Sequence, residues 1–213
     1  MTPFLSRMVM MSIAMGLIAT LAGCSGSKPR FGNPGGSSAA PVPSGPRFSS
    51  HEVEEERKEN DKIVPPEEID KVISGQRDFR TEKNTALTPL EASRLMREIS
   101  RYMGTPYDYG GVTSDGIDCS GYTMQVYKGS LGTMLPRSSA EQARTGVPVR
   151  FEELKFGDLL FFNTTGEPNS HVGIYLGDDL FAHASVSLGV TVSSLESSYY
   201  KKRYAGARRI IGQ

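Results

Sequence analysis

The chain has 213 residues, with 24 Lys and Arg against 24 Asp and Glu, 38% hydrophobic residues, 23 glycines and 13 prolines. The even charge balance excludes the basic excess by which nucleic-acid binders hold phosphate, so no nucleic-acid partner is expected. Two cysteines exclude a disulfide-dense scaffold and a four-cysteine metal site, and the glycine and proline content argues against a chain folded throughout.

Arg7 is the only charge before Lys28, and residues 8–22 are apolar or small. A positive start and an apolar run too short to span a bilayer comfortably read as an export signal. The run ends in Leu21-Ala22-Gly23-Cys24, which resembles a bacterial lipobox. That resemblance implies cleavage before Cys24 and acylation of its sulfur and new amino group, giving a membrane partner through lipid on Cys24. Each buried methylene contributes about 0.8 kcal/mol to such an anchor. Ser25 rather than Asp follows, which in diderm bacteria resembles the outer-membrane sorting signal and places the protein there, facing the periplasm. An acylated Cys24 cannot pair with Cys119, which leaves Cys119 as a lone thiol in an exported protein.

Residues 24–87 are expected to be a flexible, lipid-anchored linker. Up to about residue 50 the chain is Gly, Ser and Pro-rich without apolar periodicity, and residues 52–71 are crowded with acids. Pro66-Glu67-Glu68-Ile69 is compatible with the start of a short helix. As coil the linker would reach roughly 45 Å. His51 falls in it and reads as a solvated histidine.

The compact domain is expected from Thr88 to Gln213, the segment that holds all nine tyrosines. Thr88-Pro89-Leu90-Glu91 is a capping box with proline at the first helical position, and Leu95, Met96, Ile99 and Met103 follow at helical spacing. A second helix is expected from Cys119 to about Tyr127, and a third, short one after the capping box Ser138-Ser139-Ala140-Glu141. Beyond it lie short β-type runs at 158–162, 171–176, 180–184, 190–192 and 207–211, separated by turn residues. Helices first and strands afterwards predict an α+β fold with N-terminal helices on an antiparallel sheet.

Cys119 lies in Gly116-Ile117-Asp118-Cys119-Ser120-Gly121-Tyr122, at the start of the second helix. Unpaired N–H groups and the positive helix end there lower a thiol pKa and are aimed at a developing oxyanion. A thiolate nucleophile needs a base with an orienting partner, and the domain holds only His171 and His183. They stand twelve residues apart around Gly177-Asp178-Asp179, so a hairpin would bring them together.

Seven blocks in order resemble the NlpC/p60 family of cell-wall cysteine peptidases. They are Gly104-Thr-Pro-Tyr-Asp-Tyr-Gly-Gly, Asp118-Cys-Ser-Gly-Tyr, Leu135-Pro-Arg-Ser-Ser-Ala-Glu-Gln, Gly157-Asp-Leu-Leu-Phe-Phe, Ser170-His-Val-Gly-Ile-Tyr, His183-Ala-Ser and Arg203-Tyr-Ala-Gly-Ala-Arg-Arg. The resemblance implies a papain-like NlpC/p60 fold, Cys119 as nucleophile, His171 as general base and acid, and His183 as the residue orienting His171. It places Tyr107, Asp118 and Ser120 along the substrate site. The implied reaction is endopeptidase cleavage of peptidoglycan stem peptides, similar to that of the outer-membrane lipoprotein members, with no cofactor or metal. Phe156 stands where proline is common and Tyr200 where tryptophan is frequent; neither is expected to touch the catalytic residues.

Other readings stay open: a muramoyl–alanine amidase, an inactive wall-binding lipoprotein, or a zinc site on Cys119, His171 and His183. The basic residues Lys201, Lys202, Arg203, Arg208 and Arg209 could meet acidic stem peptides or be solvated surface. Strand parity gives one geometric expectation. If Gly177-Asp178-Asp179 is a three-residue turn, or a bulge compensates a shorter one, His171 lies opposite Ser185 and diagonal to His183 on one face. Val172, Ile174, Leu176, Leu180, Ala182 and Ala184 then face the core, and both rings are expected on the side facing the N-terminal end of the Cys119 helix.

Overall fold

A computed structural model describes residues 49–74 and 85–210. The export signal, Cys24 and the Gly/Ser/Pro-rich stretch lie outside the described residues. Among those described, no helix is long and apolar enough to cross a membrane.

Helix α1 (Ser50–Ile63) and helix α2 (Pro66–Ile73) come first. Both lie within the stretch expected to be a flexible linker, α2 where Pro66-Glu67-Glu68-Ile69 is compatible with a short helix and α1 where none was expected. Its acids and bases alternate closely enough for pairs such as Lys58–Glu54, four residues apart at 3.2 Å. Exposed pairs of that kind contribute little; what holds α1 in place is packing against the rest of the domain, with Val64 just beyond it buried in the main core. Ordered structure therefore begins ahead of the boundary expected at Thr88.

Helix α3 (Pro89–Arg101) starts as the sequence predicts: the Thr88 side chain accepts from the Glu91 N–H, and the Glu91 carboxylate returns to the Thr88 N–H at 2.8 Å. A small hairpin, β1 (Val112–Thr113) with β2 (Gly116–Ile117), leads into helix α4 (Cys119–Leu131). Helix α4 is a turn longer than expected and ends only at Gly132, whose φ of 70° no β-branched residue would tolerate. Helix α5 (Ser139–Gln142) carries the predicted capping box.

Six strands then form one sheet in the order β3-β8-β4-β5-β6-β7, every neighbour antiparallel. They are β3 (Val147–Val149), β4 (Leu159–Phe162), β5 (His171–Gly177), β6 (Leu180–Ser185), β7 (Gly189–Ser194) and β8 (Tyr204–Arg209). Helix α6 (Ser198–Arg203) precedes β8. Strand β3 was not apparent in the sequence because Pro148 interrupts it; at a sheet edge proline is tolerated.

The sheet is covered on both sides, which is why β4 to β7 are buried almost without alternation. One face carries Leu159, Phe161, Val172, Ile174, Leu176, Ala182 and Ala184 against α3 and α4. The other carries Leu160, Phe162, Tyr175 and Phe181 with Tyr199 and Tyr200 of α6. Helices on an antiparallel sheet in this arrangement make the α+β, papain-like fold expected from the sequence.

Candidate active site

Asp118 caps α4 and fixes where Cys119 sits. Its Oδ1 accepts from the Gly121 N–H at 2.7 Å, and its Oδ2 accepts from the Gly110 N–H at 2.9 Å. Arg137 completes a fork, donating to Oδ1 at 2.9 Å and to Oδ2 at 2.6 Å. Ser120 lies in the same network: its hydroxyl donates to Asp118 and accepts from Arg137. Gln142 of α5 ties the backbone of Ser120 to that of Pro136. Asp118 and Ser120, expected along the substrate site, are thus buried and spent on building the helix start. Arg137 and Gln142 fall in the block Leu135-Pro-Arg-Ser-Ser-Ala-Glu-Gln, but nothing in their spacing announced this role. Tyr107 is half-buried beside the same helix start; burial, then the charges of Cys119 and Asp118, hold its hydroxyl above the usual range.

Cys119 is buried at the first position of α4. The backbone N–H groups of Ser120, at the helix start as predicted, and of Val172 on β5 reach its sulfur and favour the thiolate. Burial outweighs them and, with the Asp118 charge, pushes the thiol up to about 12. The resting sulfur is therefore protonated, in contrast to the lowered thiol expected from the helix end alone.

The histidines meet. His171 Nε2 lies 2.9 Å from His183 Nδ1, with the rings edge to face. The register is the one parity required: Ile174 pairs with Ala182 and Tyr175 with Phe181. The turn itself is two residues, Asp178 and Asp179, both at positive φ, and a bulge between Tyr175 and Gly177 restores the odd count. Gly177 takes φ 94° there. The N-terminal end of α4 comes near His171, on which the charge of its cap Asp118 acts. The rings share their face with Phe162, Phe181 and Tyr200, whereas α4 packs on the opposite face against Val172 and Ile174. The same parity that joins the histidines turns their neighbours toward the helix. Cys119 instead meets β5 at its start, through the N–H of the residue after His171.

Burial lowers both imidazoles, His171 to about 4 and His183 well below its usual value, so both are neutral at rest. Behind them stand two hydroxyls that sequence reasoning missed. His183 Nε2 is 2.8 Å from the Ser193 hydroxyl and 3.3 Å from that of Tyr200. Tyr200, expected to stand clear of the catalytic residues, therefore touches one of them. Phe156 is a core residue. The basic cluster divides: Lys201 and Lys202 are exposed, Arg203 stacks on Tyr199 and pairs with Glu55, and Arg209 forks onto Asp158. His51 is exposed, as expected of a solvated histidine.

Residues 104–209 match the NlpC/P60 family. The chain is 43% identical over 121 residues to the Escherichia coli (strain K12) protein named murein DD-endopeptidase MepS/murein LD-carboxypeptidase, a match spanning 57% of this chain and 64% of that one. It is 39% identical over 171 residues to the "Probable endopeptidase NlpC homolog" of Haemophilus influenzae, across 78% of this chain and 88% of the relative. Among solved structures it resembles an NlpC/P60 family protein from Bacillus cereus, with a TM-score of 0.52 at 38% identity over 55% of this chain and 39% of the other. A lipoprotein-like NLP/P60 protein from Staphylococcus aureus gives 0.55 at 34% identity, over 62% and 45%. The ordered sequence blocks, the shared fold and a relative matched along most of its length agree: the chain belongs to the NlpC/P60 family.

Proposed function

We propose that the protein is a peptidoglycan endopeptidase that cleaves stem peptides with Cys119 as nucleophile, His171 as base and acid, and His183 as orienting residue. Supporting this are relatives named as murein endopeptidases and, in the molecule itself, one observation above the rest: the 2.9 Å contact between His171 Nε2 and His183 Nδ1. If His171 donates from Nε2, its Nδ1 keeps the lone pair that a base needs. Cys119 and His171 both start neutral, so the proton moves as the sulfur attacks rather than before. The sulfur adds to the carbonyl carbon, the thiol proton passes to His171, and the tetrahedral oxyanion is met by N–H groups at the start of α4. Collapse expels the amine, which takes the proton from His171 and leaves a thioester. Water then adds with His171 as base and frees the acid and the thiol.

The reading includes an anchor: acylation of Cys24 would hold the enzyme on a membrane of the cell envelope, the outer membrane facing the periplasm by its Ser25. The motivation is the lipobox sequence.

Purified protein incubated with muropeptides, with products identified by mass, tests the activity and names the bond cut. Cys119→Ala is expected to abolish turnover. His171→Ala should cost nearly as much, because nucleophile and base act as a unit, and His183→Ala less. Residual turnover near the wild-type rate in Cys119→Ala would overturn the thiol mechanism.

A further inference from the structure

Glu56 of α1 is buried, 5% exposed, in a helix that is otherwise strongly charged. Burying a carboxylate is costly unless donors meet it. Here they do: the Tyr200 hydroxyl donates to Oε1 at 2.5 Å and the Ser187 hydroxyl to Oε2 at 3.2 Å, and the Ser185 hydroxyl and Ser187 N–H also reach it. Glu56 also lines a small cavity with His171, Thr164 and Tyr199. Tyr200 links it to the histidines, its ring packed edge-on against His183 with centroids 5.3 Å apart.

These contacts order the protons. Tyr200 spends its O–H on Glu56, so toward His183 Nε2 it offers a lone pair. His183 then carries its proton on Nε2, shared with Ser193 and Tyr200, and its Nδ1 accepts from His171 Nε2–H. That is the tautomer in which His171 keeps a free Nδ1 lone pair.

We propose that Glu56 is a positioning residue of the active site, acting through Tyr200 to hold His183 and His171 in this tautomer and to stabilise the imidazolium that forms when His171 takes the thiol proton. The proposal rests on the thiol mechanism above. The other titratable groups around the pair are Asp118, the cap of α4, which acts on His171, and Tyr199 and Tyr200 from α6; Cys119 meets the backbone of the next residue, Val172, and Tyr107 interacts with Cys119, Asp118 and Glu56. Asp118 is paired with Arg137 and still favours protonation of His171, and the neighbouring Glu55 is paired with Arg203. Glu56 is met by hydroxyls and a backbone N–H, and of these donors the Tyr200 hydroxyl is the one that also reaches His183.

The test is steady-state kinetics on a muropeptide across pH, with the full chain and its Glu56→Gln, Glu56→Asp, Tyr200→Phe and double Glu56→Gln/Tyr200→Phe variants. Glu56→Gln is expected to lower kcat about tenfold with KM nearly unchanged. Its acidic limb should move to lower pH, since a titrating group has gone and the remaining imidazoles are harder to protonate. Glu56→Asp should recover part of kcat. Tyr200→Phe should lose about as much, and the double variant little more, because both act through one link. A wild-type or higher kcat in Glu56→Gln overturns the proposal; a higher one would make α1 an inhibitor instead. Should Glu56→Gln fail to fold, a wild-type kcat in Tyr200→Phe overturns it equally. If Cys119→Ala is inactive while these variants are unaffected, only this inference falls; if Cys119→Ala is active, the mechanism beneath it falls.

Discussion

At the scale of single residues, burial governs the site's protonation. His171 and His183 are both lowered, so on acidification the unfolded chain binds their protons first. The stability they confer is complete above about pH 6.5 and drains away as the pH falls toward 4. For His171, a fall from 6.5 to about 4 is worth about 3 kcal/mol. Glu56, raised by burial, acts in the opposite direction, so the variant His171→Gln is the right comparison. Urea unfolding between pH 7.5 and 4.5 should show a shallower loss of stability in that variant than in the wild type. Parallel slopes would mean that His171 is not buried in its neutral form.

At the scale of elements, the start of α4 packs backbone against backbone. A Cβ on Gly121 would lie 2.4 Å from the Gly111 carbonyl oxygen, within the turn ahead of β1. Glycine here serves packing rather than conformation, since the helix itself would accept alanine. Gly121→Ala should therefore cost about 2 kcal/mol and lower the thermal midpoint by about 6 °C, with a larger fall in kcat than stability explains, because Cys119 would shift. An unchanged midpoint would contradict this account of the turn. The hairpin of β5 and β6 makes a related point: its two-residue turn alone would separate the histidines, and the bulge before Gly177 reunites them.

At the scale of the whole molecule, α1 joins the part of the chain expected to be a tether to the catalytic domain. With 50–63 docked, the stretch of coil-type composition after Cys24 shortens to about residue 49. If the anchor is lipid, Cys24→Ala should move the protein from the membrane to the soluble fraction while the purified enzyme keeps its turnover on soluble muropeptides. Persistence of the variant in membranes after a high-salt wash would mean that something other than lipid holds it.

How much was legible follows from the range of the interactions. Local signals were enough for the capping boxes at Thr88 and Ser138, the helix start at Cys119, the β-type runs and the parity that pairs His171 with His183, because each depends on residues close along the chain. The ordered blocks of the family carried the α+β fold as well. What no local pattern could supply were contacts between distant segments. Arg137 closes on Asp118 from 19 positions away, and Glu56 reaches Tyr200 across 144. A run rich in charge reads as solvated coil until a partner surface buries one of its acids, and a thiol at a helix start reads as acidic until the fold takes water from it. The sequence by itself determined which groups stand ready for the chemistry; the tertiary structure decided which of them are buried, and burial sets their protons.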